Sequence, residues 1–88
     1  MTEKMRIELS LLLPAVLDAR DTCVTRLRDI LRAKVGIEDA HLVERSDKGL
    51  AEICVHFDPR QLSISEVRDL AHRSGAELEQ RYGHLLIN

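Results

Sequence analysis

Hydrophobic positions recur along the chain with two different periods, so the sequence predicts both strands and helices. Ile7, Leu9 and Leu11 alternate with polar residues, which indicates a strand over residues 6–12 whose odd positions face a core. Pro14 ends this predicted strand, because proline cannot donate a hydrogen bond to a neighbouring strand. The next apolar residues then follow a helical period.

The first predicted helix begins after a connecting loop. Asp21 or Thr22 is suited to cap its start, and Gly36 is suited to stop it. Its inward stripe is spaced at three or four residues and consists of Val24, Leu27, Ile30, Leu31 and Val35. Arginine and aspartate residues occupy the opposite side, as expected for an amphipathic helix on a surface.

An antiparallel hairpin is predicted next, from strands over residues 37–45 and 50–57. Ala40 and Leu42 should face the core from the first strand. The odd positions should do so from the second: Ala51, Ile53, Val55 and Phe57. A two-residue turn at positions 47–48 would put His41 directly opposite Cys54, with Cβ atoms about 5 Å apart.

The last third of the chain predicts a second helix and a final strand. Ser63 followed by Glu66 matches the pattern of a capping box, and Gly75 is interpreted as the end of the helix. Residues 76–87 are then predicted to form a fourth strand. The resulting order is βαββαβ, and the predicted fold is a ferredoxin-like α+β sandwich with a four-stranded antiparallel sheet and two helices on one face.

Composition narrows the possible functions. The 88 residues suit one domain, and 13 basic against 15 acidic residues give a formal charge of −2 without a basic block. With one Phe, one Tyr and no Trp, the chain lacks the charge and the aromatic surface of a nucleic-acid binder. The apolar runs are too short to insert into a membrane. No catalytic set of residues is visible, so a non-catalytic domain is expected.

Several separated motifs resemble the heavy-metal-associated domain family over nearly the whole chain. Thr22 and Cys23 match the end of that family's Gly-Met-Thr-Cys-x-x-Cys loop, although Arg26 stands at the position of the second cysteine. The other matches are Leu27, the pair Gly36–Ile37, the stretch from Val55 through Asp58 and Pro59, Leu62–Ser63 with Val67, and Ser74–Gly75.

The resemblance implies a function in metal transport. Such domains lie in the N-terminal region of heavy-metal-translocating P-type ATPases, so the chain is expected to be a cytoplasmic, accessory or regulatory domain and a fragment of a longer transporter. Cys23, with Asp21 as an oxygen donor, would then bind a soft transition metal weakly: Zn(II), Cu(I) or Cd(II). Neighbouring domains of a transporter, or another domain of this family, are the expected partners.

Two alternatives come from the residues themselves. His41, Cys54 and His56 share the outer face of the predicted hairpin, and two imidazoles with one thiol form a chemically suitable set for Zn(II) or copper. Because the Cys-x-x-Cys pattern is incomplete, the chain could instead be a metal-free ferredoxin-like module that binds a protein or a small ligand. Such a module could form a homodimer through its open sheet face or its edge strands.

Overall fold

The structure is a computed structural model that describes residues 2–14, 22–45 and 50–87. The predicted turn at 47–48 and the candidate ligand Asp21 lie outside these residues. The elements are β1 (Glu3–Glu8), α1 (Leu9–Leu12), α2 (Thr22–Arg32), β2 (Ile37–Arg45), β3 (Leu50–Phe57) and α3 (Ile64–Ile87). The prediction of a mixed α+β domain is therefore confirmed, and both hairpin strands have the predicted bounds.

The described sheet has three antiparallel strands in the order β1-β3-β2. This order is compatible with a ferredoxin-like arrangement, in which the hairpin and the first strand are neighbours. The prediction of a fourth strand over residues 76–87 is wrong, because these residues continue α3 as a helix of 24 residues.

Gly75 explains why the final element was predicted incorrectly. The sequence predicts that it ends the second helix, yet it lies inside α3 and is buried. A Cβ atom at this position would lie 2.3 Å from the backbone oxygen of Leu12. Glycine is therefore present because α3 packs directly against the backbone of α1, and the apolar positions Ala71 and Leu78 continue the helical period on either side.

The predicted first strand is also corrected, since residues 9–12 form a helix instead of extending β1. Leu9, Leu12 and Leu13 are buried, whereas Leu11 is 62% exposed. Spacings of three and four residues are helical, so turning the chain here buries three of the four leucines against the core. Ile7, the remaining odd position of the prediction, is buried as expected.

A largely aliphatic core lies between one face of the sheet and the helices. The sheet contributes the predicted inward positions, of which Ala40, Ile53 and Val55 are fully buried. The helices contribute Val24, Leu27, Leu31, Val67, Ala71 and Leu78. Two positions of the predicted stripe differ: Ile30 is 38% exposed, and Val35 is 78% exposed because α2 has already ended at Arg32.

The connections that orient the helices follow the predicted local chemistry. The backbone N–H of Glu66 donates to the Ser63 hydroxyl, and the N–H of Ser63 donates to the Glu66 carboxylate, which completes the capping box at the start of α3. Gly36 has a φ of 100°, a conformation that other residues rarely adopt, and it turns the chain from α2 into β2.

No helix in the described parts of the chain is both long and apolar enough to cross a membrane.

We expect Gly75→Ala to destabilise the protein. Helix propensity alone would make alanine more favourable than glycine by up to about 1 kcal/mol, but the added methyl group collides with the backbone of Leu12. Overpacking of this kind costs roughly 1–3 kcal/mol. Urea unfolding monitored by circular dichroism measures the change in the free energy of unfolding. A stabilised variant would contradict the close contact between α1 and α3.

We expect Asp58 to make folding sensitive to acid. Hydrogen bonds from the Arg60 backbone N–H, the Gln61 amide and the Arg60 guanidinium lower the pKa of this carboxyl from 3.8 to about 2. Its contribution to stability is therefore complete above pH 3.8 and is lost as the pH falls towards 2. The difference in unfolding free energy between the parent and Asp58→Asn should shrink over that interval, whereas parallel curves would contradict the assignment.

Candidate metal centre

The outer face of the sheet lies opposite the main core, and strand pairing determines which of its side chains are neighbours. The β3 strand lies in the middle, so each outward side chain on it has one neighbour on β1 and one on β2. Cys54 lies between Arg6 and His41, and the next outward residue of β3, His56, lies between Lys4 and Asp39. The pairing of His41 with Cys54 confirms the predicted register of the hairpin.

Three metal-ligating side chains meet on this face. Each of His41, Cys54 and His56 offers one donor atom, and the three atoms lie within 4.8 Å of one another. The two imidazole rings have centroids 5.1 Å apart at an interplanar angle of 52°. No other group of three or more His, Cys, Asp or Glu donors comes together within the described ranges.

The donors are arranged with the thiol at the bottom of the cluster. Cys54 is only 2% exposed, although it lies on the face opposite the main core, whereas the His41 side chain is 41% exposed. The residues on either side of Cys54 in the sequence, Ile53 and Val55, point to the other side of the sheet and are fully buried. The Cys54 thiol is therefore shielded from solvent, whereas the His41 imidazole can be reached from solvent.

The spacing of the three donors is close to that of a tetrahedral site. Zinc binds imidazole nitrogen at about 2.0–2.1 Å and thiolate sulfur at about 2.3 Å, which places neighbouring donors roughly 3.3–3.6 Å apart. Because the donors here lie within 4.8 Å, side-chain movements on the order of 1 Å would close them around an ion. No change in the strand register is required.

The hydrogen bonding of His56 provides a second observation on this cluster, separate from the distances between the donor atoms. Its Nε2 atom is buried and has no hydrogen-bond partner among the described residues. Leaving a buried polar nitrogen unsatisfied costs about 1–3 kcal/mol. A metal ion bound at this cluster would remove that cost, so the residues present fit a metal.

An acidic residue lies beside the three donors. Oδ2 of Asp39 is 3.6 Å from Nδ1 of His41. Its other oxygen, Oδ1, accepts a hydrogen bond from Nε of Arg32 at 3.2 Å, and Nη2 of Arg32 is also 3.2 Å away. Arg32 Nε further donates to the backbone oxygen of Ala40 at 3.0 Å, so the guanidinium joins the last turn of α2 to β2.

Asp39 is ionised at neutral pH. The backbone N–H of Ala40 lowers the pKa of this carboxyl below its ordinary value of 3.8, desolvation opposes that effect, and the charges of Arg32, His41 and His56 lower the pKa further. The carboxylate therefore adds a negative charge beside a cluster whose neighbours on β1, Lys4 and Arg6, are positive.

A break in the strand register positions this carboxylate. Ile37 pairs with Phe57 and Asp39 pairs with His56, so Glu38 is an extra residue in β2, as in a β-bulge. Side chains two residues apart in a regular strand share a face. The extra residue lets Ile37 face the core while Asp39 faces outward beside His41.

The candidate ligand Cys23 lies elsewhere in the molecule. It is the second residue of α2, near the predicted helix start, and at 2% exposure it belongs to the hydrophobic core. Arg26 is exposed one turn along the helix. No disulfide joins Cys23 to Cys54. Asp21 lies outside the described residues, so a metal site formed by these two residues stays a prediction.

Sequence reasoning found the three donors but missed Asp39 and Arg32. The signal for Asp39 was present, because residues 39 and 41 share a face when the strand is regular between them. Arg32 could not be assigned in the same way, since its contact depends on how the end of α2 crosses the edge of β2.

Comparisons with known proteins identify one related structure. No family model and no curated protein sequence matches the chain. The chain is similar to the N-terminal extension of CzcP from Cupriavidus metallidurans, with 39% sequence identity and a TM-score of 0.84. The similarity covers 90% of this chain and 54% of the CzcP chain, so the protein spans about half the length of the structure it matches.

Proposed function

We propose that this chain is an accessory domain of a metal-transporting ATPase, similar to heavy-metal-associated domains, and that it binds a transition metal at His41, Cys54 and His56. Two observations carry the proposal. The three donor atoms lie within 4.8 Å of one another, and the buried Nε2 atom of His56 has no hydrogen-bond partner among the described residues. The domain would serve a transporter as a non-catalytic accessory unit.

The donor set favours Zn(II) or Cd(II) over Cu(I). Two imidazoles and one thiolate are borderline ligands that suit zinc, whereas Cu(I) is selected by softer sets that contain more sulfur. One thiolate and the Asp39 carboxylate together offset the charge of a divalent ion. The same sum would leave a monovalent copper ion with an excess of negative charge.

Three protein ligands suit an ion that must exchange. Structural zinc sites are usually closed by four protein ligands, whereas a site with three keeps one position for water or for a donor from another molecule. The exposure of His41 leaves a route for such a donor. These features favour a sensing or transfer site over a permanent structural one.

The setting of the domain follows from the same proposal. We expect it to lie on the cytosolic side of a membrane transporter, as heavy-metal-associated domains do, and to contact the neighbouring domains of that protein. Metal binding would then report the cytosolic metal concentration to the transporter. The alternative is a metal-free module that uses the outer sheet face to bind a protein or small ligand.

We expect the reduced domain to bind one Zn(II) ion in competition with a chelator of known affinity. Cys54→Ser and His56→Gln each remove a direct ligand, so the affinity should fall by more than the roughly 10–100-fold that loss of a supporting residue costs. With Cd(II), the ultraviolet charge-transfer band of the cadmium–thiolate bond should appear in the parent and disappear in Cys54→Ser.

Two matched variants control this experiment. His72→Gln removes an exposed imidazole from α3, and Cys23→Ala removes the core thiol; both should keep the affinity of the parent. Loss of binding in Cys23→Ala with normal binding in Cys54→Ser would move the site to the start of α2. A parent that does not compete with the chelator would favour the metal-free alternative.

A further inference from the structure

We propose that Asp39 positions His41 for metal binding and that Arg32 holds Asp39 in place. In this arrangement the carboxylate keeps the His41 ring with its Nδ1–H directed to Oδ2 and leaves Nε2 for the ion. This inference rests on the proposed function, because it assigns the residues that support the same site.

The geometry of Asp39 divides its two oxygens between two tasks. Oδ1 lies 3.2 Å from both Nε and Nη2 of Arg32, and Oδ2 lies 3.6 Å from Nδ1 of His41. The first set of distances is that of a formed hydrogen bond. The second is about 0.4 Å longer than the usual upper limit, so a small rotation of the ring completes the contact.

The chemistry of histidine gives this contact its effect. A neutral imidazole has one protonated nitrogen and one unprotonated nitrogen that can bind a metal. A hydrogen bond donated by one nitrogen determines which of the two carries the proton. A carboxylate that accepts the Nδ1–H also makes Nε2 a stronger donor. Asp39 is the acidic residue within reach of Nδ1 in the described structure, and it lies on the same outer face of β2.

Arg32 gives the carboxylate a fixed orientation. Its guanidinium binds both the Asp39 carboxylate and the backbone oxygen of Ala40, so the second contact restricts the movement of the guanidinium. Because Arg32 belongs to the last turn of α2, the orientation of Asp39 depends on how that helix is seated. A contact that shifted α2 would therefore change metal affinity without touching a ligand.

The test compares Asp39→Asn with Glu44→Gln, which removes an exposed carboxylate from the same strand. Zinc affinity is measured by chelator competition, and the His41 tautomer is measured in the metal-free chain by long-range ¹H–¹⁵N NMR. We expect Asp39→Asn to bind zinc about 10–100-fold more weakly and to lose the preference for Nδ1–H. Glu44→Gln should match the parent in both, and Arg32→Gln should weaken binding less than Asp39→Asn does.

Cobalt distinguishes a positioning residue from a ligand. The visible spectrum of the Co(II) form at saturation should be the same for Asp39→Asn and the parent, because the ligands do not change. A changed spectrum would show that Asp39 binds the ion directly and would overturn the inference. Parent-like zinc affinity, or an unchanged His41 tautomer in Asp39→Asn, would overturn it as well.

The outcome is separable from that of the proposed function. If the parent fails to bind zinc, the proposed function fails, and the tautomer measurement in the metal-free chain still decides whether Asp39 orients His41. If the parent binds zinc and Asp39→Asn binds it equally well, only the positioning role is lost.

Discussion

The register between β2 and β3 is the constraint on which the candidate site depends. Hydrogen bonds along this hairpin place His41 opposite Cys54 and leave His56 on the diagonal, so the donors meet without any long-range adjustment of the fold. A slip of one residue would send every side chain of β2 to the other face of the sheet. The apolar residues of the opposite face prevent such a slip, because Ala40, Ile53 and Val55 must stay in the core.

The two cysteines show how the same sheet separates two chemical environments. Cys23 is a residue of α2 and is buried in the same hydrophobic cluster as the aliphatic core residues. Cys54 is equally buried, but it lies beneath imidazoles and beside charged residues on the outer face. Burial alone therefore does not distinguish the candidate metal-binding thiol from the other one. The residues around each cysteine distinguish the two environments, because only Cys54 has potential metal ligands beside it.

Local patterns were sufficient to predict the hairpin, the first turn of α3 and the three donors on the outer face. Each of these depends on residues close in sequence, such as Ser63 with Glu66 in the capping box. The errors arose where a contact between distant elements decides the structure. The contact of Gly75 with α1 and the burial of Leu12 belong to this class, because at both places the local sequence is compatible with more than one structure and packing between distant elements decides between them.

The extra residue in β2 has a consequence for how related chains should be compared. Glu38 interrupts the alternation of side chains between the two faces of the sheet, so Ile37 before it faces the core while Asp39 after it faces outward. A relative that lacked this single residue would have a regularly alternating strand here, with position 37 still facing the core and the equivalents of Asp39 and His41 still facing outward. A one-residue gap at this point of an alignment therefore leaves the candidate donor positions on the outer face, whereas a one-residue gap between positions 39 and 41 would put those two positions on opposite faces.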